Sequence, residues 1–274
     1  MPVRLLHVTD LHLTLSDECD DKYRRDHAAH RSGVFSLNEK NPAPESFAEL
    51  LNAADDADLI LFTGDIADFP SSANLDHIKN MLGDKKFIYC QGNHDWNYPC
   101  DYPFGTANWD FDQSILYDAA LAKTREAFLP LTSGDIDVTM VNGLKVIAVN
   151  NSSYRFSSHQ YSRLEQELAS GTPTVVAFHI PLYAPTLMED TLKYWHLPII
   201  CGGGDEVHTP YWSYRTDEAT AKVCRLLGES KSVVCVISGH LHFDHVDILP
   251  GGNTQYVTAL ANRCNATLFN ILPK

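Results

Sequence analysis

The sequence lacks any apolar run long enough to cross a membrane. Leu59–Phe62 and Val233–Ile237 are typical of its apolar stretches, far short of the roughly 18 residues a spanning helix needs. It also lacks a C-x-x-C pair, and its seven cysteines are an odd number, so they read as reduced thiols and not as a disulfide framework. Positive charge is scarce: 21 Lys and Arg stand against 35 Asp and Glu, a net charge of −14. Such a chain repels nucleic acid and anionic lipid at long range and has no electrostatic footprint of a non-specific DNA binder. Met1-Pro2-Val3-Arg4 runs straight into a strand-like segment, with neither an apolar core nor a small-residue cleavage site of an export signal. The expectation is a cytoplasmic chain with no membrane contact. Internal repeats and low-complexity tracts are missing too. What remains is 44% apolar and 20% charged, ordinary values for a chain that buries a core.

Apolar, β-branched runs recur at 3–8, 59–62, 87–89, 138–141, 145–149, 174–178, 233–237, 243–248, 255–258 and 266–270. Helical periodicity lies between several of them, at 45–54, 72–82, 118–128, 160–169 and 217–227. The early β-α-β-α-β alternation predicts parallel strands joined by right-handed crossovers. The later strands, separated by breaks such as Pro250-Gly251-Gly252-Asn253, predict a hairpin or meander. The fold class is therefore α/β, a mixed sheet system covered by helices, with 1–274 read as a single domain. Three stretches escape the pattern and read as loop insertions: 13–44, 96–117 and 182–216. Within the last, Cys201-Gly202-Gly203-Gly204 reads as a flexible lid hinge, since it lacks the lysine of a phosphate loop.

Five short segments each follow a strand-like run: Asp10-Leu11-His12, Gly64-Asp65-Ile66-Ala67-Asp68, Gly92-Asn93-His94-Asp95, His179, and Gly239-His240-Leu241-His242. Side chains at the carboxyl ends of strands converge on one edge of an open α/β sheet, and glycine there permits a tight turn. Carboxylates, an amide and imidazoles without thiolate suit Mn, Fe, Zn or Co. There are more donors than one tetrahedral ion needs. Two ions about 3.5–4 Å apart sharing a carboxylate account for them.

In this order the segments resemble the calcineurin-like metallophosphoesterase pattern D-x-H, G-D-x-x-D, G-N-H-[D/E], H and G-H-x-H, over residues 5 to about 260. The resemblance implies a four-layer α/β/β/α sandwich with two mixed β-sheets and a di-metal site at the strand ends. It implies that Asp10, His12, Asp65 and His242 hold one ion, and that Asp65 bridges to a second held by Asn93, His179 and His240. It gives His94 a catalytic place beside the metals, oriented by Asp68. Purple acid phosphatases carry tyrosine where Asp68 stands, so a tyrosinate–Fe(III) site is not expected. In size and motif spacing the chain is most similar to the bacterial class III cyclic-nucleotide phosphodiesterase-like branch, although Asn150-Asn151-Ser152 departs from the Asp-Ser of that branch.

The function implied is hydrolysis of a small phosphomonoester or phosphodiester, nucleotide-like ones included, by hydroxide generated on two divalent or trivalent ions, Mn or Fe before Zn or Co. A nuclease of the same superfamily would need basic grooves, which −14 does not favour. A non-catalytic scaffold would be expected to lose ligands, and none is missing. Arg25 and His30, with Arg24, His27 and Arg31, either meet substrate phosphate or form a solvated helix face paired with Asp17, Glu18, Asp20 and Asp21. Trp96 and Trp109 either stack on a base or aromatic leaving group or form a small satellite core. The oligomeric state is left open.

Overall fold

A computed structural model of the chain describes residues 2–36, 42–96, 128–129, 131–203 and 216–272. Ten strands form among the described residues: β1 (Val3–Val8), β2 (Leu59–Phe62), β3 (Phe87–Tyr89), β4 (Ile136–Val141), β5 (Leu144–Val149), β6 (Thr174–Ala177), β7 (Val233–Ser238), β8 (His245–Ile248), β9 (Thr254–Val257) and β10 (Thr267–Ile271). Each lies within two residues of its predicted bounds. The helices among the described residues are α1 (Lys22–Phe35), α2 (Ala43–Ala53), α3 (Ser72–Leu82), the single turn α4 (Asn93–Trp96), α5 (Ser158–Leu168), α6 (Pro185–Trp195) and α7 (Glu218–Glu229).

The strands make two mixed sheets, ordered β10-β1-β2-β3 and β4-β5-β6-β7-β9-β8. In the first, β1, β2 and β3 run parallel and β10 antiparallel. In the second, β5, β6, β7 and β9 run parallel, with antiparallel β4 and β8 at the edges. The period-2 alternation of strand side chains assigns the faces. Leu5, Leu59 and Leu61 of the first sheet pack with Val146, Ala148, Val175, Ala177 and Ile237 of the second, forming the core between the sheets. Their neighbours point the other way. Leu6, Ile60 and Phe62 meet Phe47 and Leu51 of α2 and Leu75 and Ile78 of α3. Ile147, Val176 and Val236 meet Leu164 and Leu168 of α5 and Val223 and Leu227 of α7. Helices, sheet, sheet and helices make the four-layer α/β/β/α sandwich. Strands covered on both faces read as continuous apolar runs for this reason.

Three sequence readings need correction. The described part of 13–44 is not all loop: it carries the fourteen-residue α1, capped by the Asp21 side chain on the Arg24 amide at 2.8 Å. The stretch 182–216 carries α6, which starts at Pro185; proline suits a first turn, where its missing N–H has no partner to lose. The Asp247 carboxylate from β8 accepts the Leu187 amide at 3.3 Å there. Cys201–Gly203 is packed and not a free hinge. Cys201 is buried and pairs with Pro181 and Tyr183 through backbone bonds of 2.8 and 2.7 Å. A Cβ on Gly202 or Gly203 would come within 2.7 Å of Cys224 Sγ or the Tyr183 ring. The predicted helix 118–128 lies outside the described residues except for Phe128.

Candidate metal centre

All the motif segments leave the carboxyl ends of parallel strands. Asp10 follows β1, Asp65 follows β2, Asn93 follows β3, His179 follows β6 and His240 follows β7. The two sheets meet here. His7 Nε2 lies 2.7 Å from Thr63 Oγ1 beyond β2, and His7 Nδ1 lies 2.9 Å from Thr258 Oγ1 beyond β9. The Asp10 carboxylate accepts the His240 amide at 2.8 Å and the Thr9 hydroxyl at 2.7 Å, both on Oδ2. Glycine is required at the closest approach. A Cβ on Gly239 would stand 2.4 Å from Asp10 Oδ2, and one on Gly92 would stand 2.2 Å from Asp65 Oδ1.

Backbone strain concentrates in the same place. Asp10, His12, Asp65, His240 and His242 all have φ between 51° and 72°, a left-handed conformation costing on the order of 1–3 kcal/mol at a non-glycine residue. Tyr154, whose hydroxyl sits 3.2 Å from His240 Nε2, shares it at 66°.

The side chains gather in three overlapping groups of potential metal ligands: Asp10, His12 and His242; His12, Asp65 and His94; and Asp65, His179 and His240. His12 Nε2 faces His242 Nε2 at 3.1 Å, and Asp10 Oδ1 lies 3.3 Å from the latter. On the other side His179 Nε2 lies 3.1 Å from Asp65 Oδ2, from Asn93 Oδ1 and from His240 Nδ1. Asp65 belongs to both sides, so the structure brings together all seven residues predicted as ligands.

These residues fit a pair of cations. Asp10 Oδ1 is fully buried with no hydrogen-bond partner among the described residues, an expensive state for a carboxylate oxygen unless a cation meets it. His12 Nδ1 is taken up by Asp68 Oδ1 at 2.9 Å, and His179 Nδ1 by the Thr63 carbonyl at 2.7 Å. With Nδ1 so held, each ring turns its Nε2 toward the cluster, the arrangement found at metal-bound histidines. Burial alone would raise Asp10 and Asp65, but the imidazoles around them hold both carboxyls below the ordinary range. Burial works against His179 as a base, yet Asp65 and Asp10 raise it to about 9, while burial and then His179 lower His240 to about 3. The two carboxylates thus keep their negative charge inside the buried cluster.

His94 is partly exposed, its ring edge-on to His12 with centroids 5.0 Å apart. Its Nδ1 lies 3.2 Å from the Asp68 carbonyl and 3.3 Å from Asp68 Oδ1. Its amide donates to Asp65 Oδ1 at 2.8 Å. Asp95, given no role by sequence, is buried and accepts three amides: Asp65 and Gly92 on Oδ2 and Ala67 on Oδ1, at 2.9, 2.9 and 3.0 Å. Burial and the neighbouring Asp65 charge push it up to about 7 against those donors.

The proposed substrate contacts fare differently. Arg25 and His30 are exposed on α1, and the Arg25 guanidinium donates to the Asp20 carbonyl. Arg31 of that basic patch reaches the centre, donating from Nε and NH2 to the two oxygens of Asp68 at 2.5 and 2.7 Å. Trp109 and the side chain of Trp96 lie outside the described residues. Trp195 of α6 was not foreseen. Its indole N–H donates to the Leu241 carbonyl at 2.9 Å and its ring stands edge-on to His242 at 5.3 Å.

Among solved structures, the chain is similar to a dimetal phosphatase from Danio rerio, with 13% identity, a TM-score of 0.56 and coverage of 95% of this chain and 88% of that one. It is similar to the purple acid phosphatase PPD1 from yellow lupin (Lupinus luteus) seeds, with 12% identity and a TM-score of 0.57. All of this chain then covers 47% of the plant protein. At these identities the likeness is one of fold. Comparison with curated proteins found no match. The family model for calcineurin-like phosphoesterases matches residues 3–244, and the chain belongs to that family.

Proposed function

We propose that the chain is a metal-dependent phosphoesterase acting on a small phosphomonoester or phosphodiester, nucleotide-like ones included. Asp10, His12, Asp65 and His242 would hold one ion. Asp65, Asn93, His179 and His240 would hold the other, with Mn or Fe preferred to Zn or Co. The observation that carries this reading is the convergence of two sets of potential ligand atoms on the shared carboxylate of Asp65, one of them the buried Asp10 Oδ1, which has no hydrogen-bond partner among the described residues. Two ions held there supply a nucleophilic water acidified toward neutrality and positive charge for the phosphoryl oxygens.

The chain's own residues do the rest. The Asp68 carbonyl and carboxylate orient the His94 ring through Nδ1, leaving Nε2 to hold the proton for the departing oxygen. The Tyr154 hydroxyl and the Thr63 carbonyl fix the rings of His240 and His179 from behind. A duplex nucleic-acid substrate fits poorly with a net charge of −14, and a non-catalytic scaffold fits poorly with a full ligand set. The described cysteines are all free thiols, which supports placement in the reducing cytosol. No described helix is long and apolar enough to cross a membrane.

The test is a panel of phosphomonoesters, cyclic nucleotides and other diesters, each with Mn, Fe, Zn and Co. Turnover of at least one ester that chelation abolishes is expected. No turnover of any ester with any ion would contradict the reading.

A further inference from the structure

α1 has almost no apolar face to bury. Among its described side chains Ala28 is the one buried apolar residue, and Val34 is exposed. Such a helix must be held by something other than a hydrophobic stripe, and two residues one turn apart supply it. Arg31 forks onto both oxygens of the buried Asp68 at 2.5 and 2.7 Å. Phe35 stacks on the His12 ring, centroids 4.5 Å apart and planes 15° apart. The Arg31 guanidinium lies over the Phe35 ring, 5.0 Å from its centroid. Asp68 in turn accepts His12 Nδ1 at 2.9 Å. The contacts therefore close a ring, from His12 to Asp68 to Arg31 to Phe35 and back to His12.

Each link constrains a different freedom. Asp68 fixes which His12 nitrogen carries the proton, and so sends Nε2 toward Asp10 and His242. Phe35 fixes the tilt of the His12 ring. The guanidinium fork prevents the Asp68 carboxylate from rotating away, a task that needs two parallel N–H bonds and a flat cation able to lie on a ring. The contacts of Arg31 and Phe35 fall on Asp68 and His12, on the His12 side of the cluster.

We propose that Arg31 and Phe35 are positioning residues, which clamp His12 and Asp68 from α1 and thereby set the affinity of the His12 side of the centre alone. The proposal rests on the di-metal reading of the site. The experiment is equilibrium dialysis of the full chain against Mn²⁺, with melting followed in the presence and absence of the ion. Wild type is expected to take two ions. In Arg31→Met and Phe35→Ala the affinity for one ion should fall about 10–100-fold, the usual scale for losing a residue that orients a ligand, while the other stays within twofold. Phe35→Tyr keeps the ring and should bind like wild type. Phe35→Leu keeps bulk without the ring and Arg31→Lys keeps charge without the fork, and both should weaken the same ion. Those last three variants decide the matter should Arg31→Met fail to fold. Two outcomes overturn the clamp: unchanged affinity for both ions with only a lower melting temperature, or equal weakening of both ions. Wild type binding no Mn²⁺, Zn²⁺, Fe²⁺ or Co²⁺ would instead remove the di-metal reading, and the clamp with it.

Discussion

Removing the Asp95 carboxylate is predicted to destabilise the chain more than any other single-residue change at the strand ends that leaves the ligands intact. Three buried amides, of Asp65, Ala67 and Gly92, donate to it at 2.9–3.0 Å. Asp95→Ala leaves them without an acceptor, and each buried donor so orphaned costs about 1–3 kcal/mol. Relief of the burial penalty and of the repulsion with Asp65, which together raise Asp95 to about 7, offsets part of that loss. Three orphaned donors cost about 3–9 kcal/mol in all, and after that relief a net loss of about 3 kcal/mol is expected, a large share of the roughly 5–15 kcal/mol of a typical domain. Asp95→Asn keeps an oxygen for Asp65 and Gly92 and turns its NH₂ toward Ala67, so it should lose about 1–3 kcal/mol. Urea unfolding at pH 7 with excess chelator measures both without metal linkage, and an unchanged m-value would show that the unfolded state is not the cause. An alanine variant within about 1 kcal/mol of wild type, or an asparagine variant worse than alanine, would refute the reasoning.

His94→Asn is expected to keep both ions but to slow alkyl phosphoesters by about 10²–10⁴-fold, the scale of general acid catalysis. The loss should be clearly smaller for p-nitrophenyl esters, whose leaving group scarcely needs a proton, and equal losses would exclude the proton-donor role. His7 is buried and its imidazole is lowered to about 3 by burial, against the pull of Asp10. The folded state therefore stays neutral while the unfolded chain takes up a proton below ~6.5. Stability should fall as pH drops from about 6.5 toward 3, by about 1.4 kcal/mol per pH unit from this group, and His7→Asn should flatten the slope by that amount in urea unfolding between pH 6 and 4.

The parts of the fold legible in sequence are those set by local periodicity. Leu5 and Leu6, or Leu61 and Phe62, alternate between the two cores, and the strand runs record that directly. The ligand motifs are legible because each sits on a short turn off a strand, with glycine where Cβ would collide. What is not legible depends on distant partners. α1 has no apolar stripe because it docks through Arg31 on Asp68, 37 positions away, and through Phe35 on His12. Chemistry alone could not choose Arg31 over Arg25, since only the helix phase separates the side that meets Asp68 from the exposed one. α6 lies in the stretch that reads as a loop insertion, and its first turn is met by an Asp247 oxygen sixty residues on. The Tyr154 contact with His240 spans 86 positions, and no local signal announces it.

The central claim is that Asp65 joins two metal ions into one hydrolytic centre. Elemental analysis of wild type and Asp65→Asn, each dialysed against Mn²⁺ and assayed on the same phosphoester, tests it most directly. The account predicts close to two ions per wild-type chain, with loss of both occupancy and turnover in Asp65→Asn. Full activity in a chain holding no metal, or an Asp65→Asn chain that keeps two ions and wild-type turnover, would contradict it.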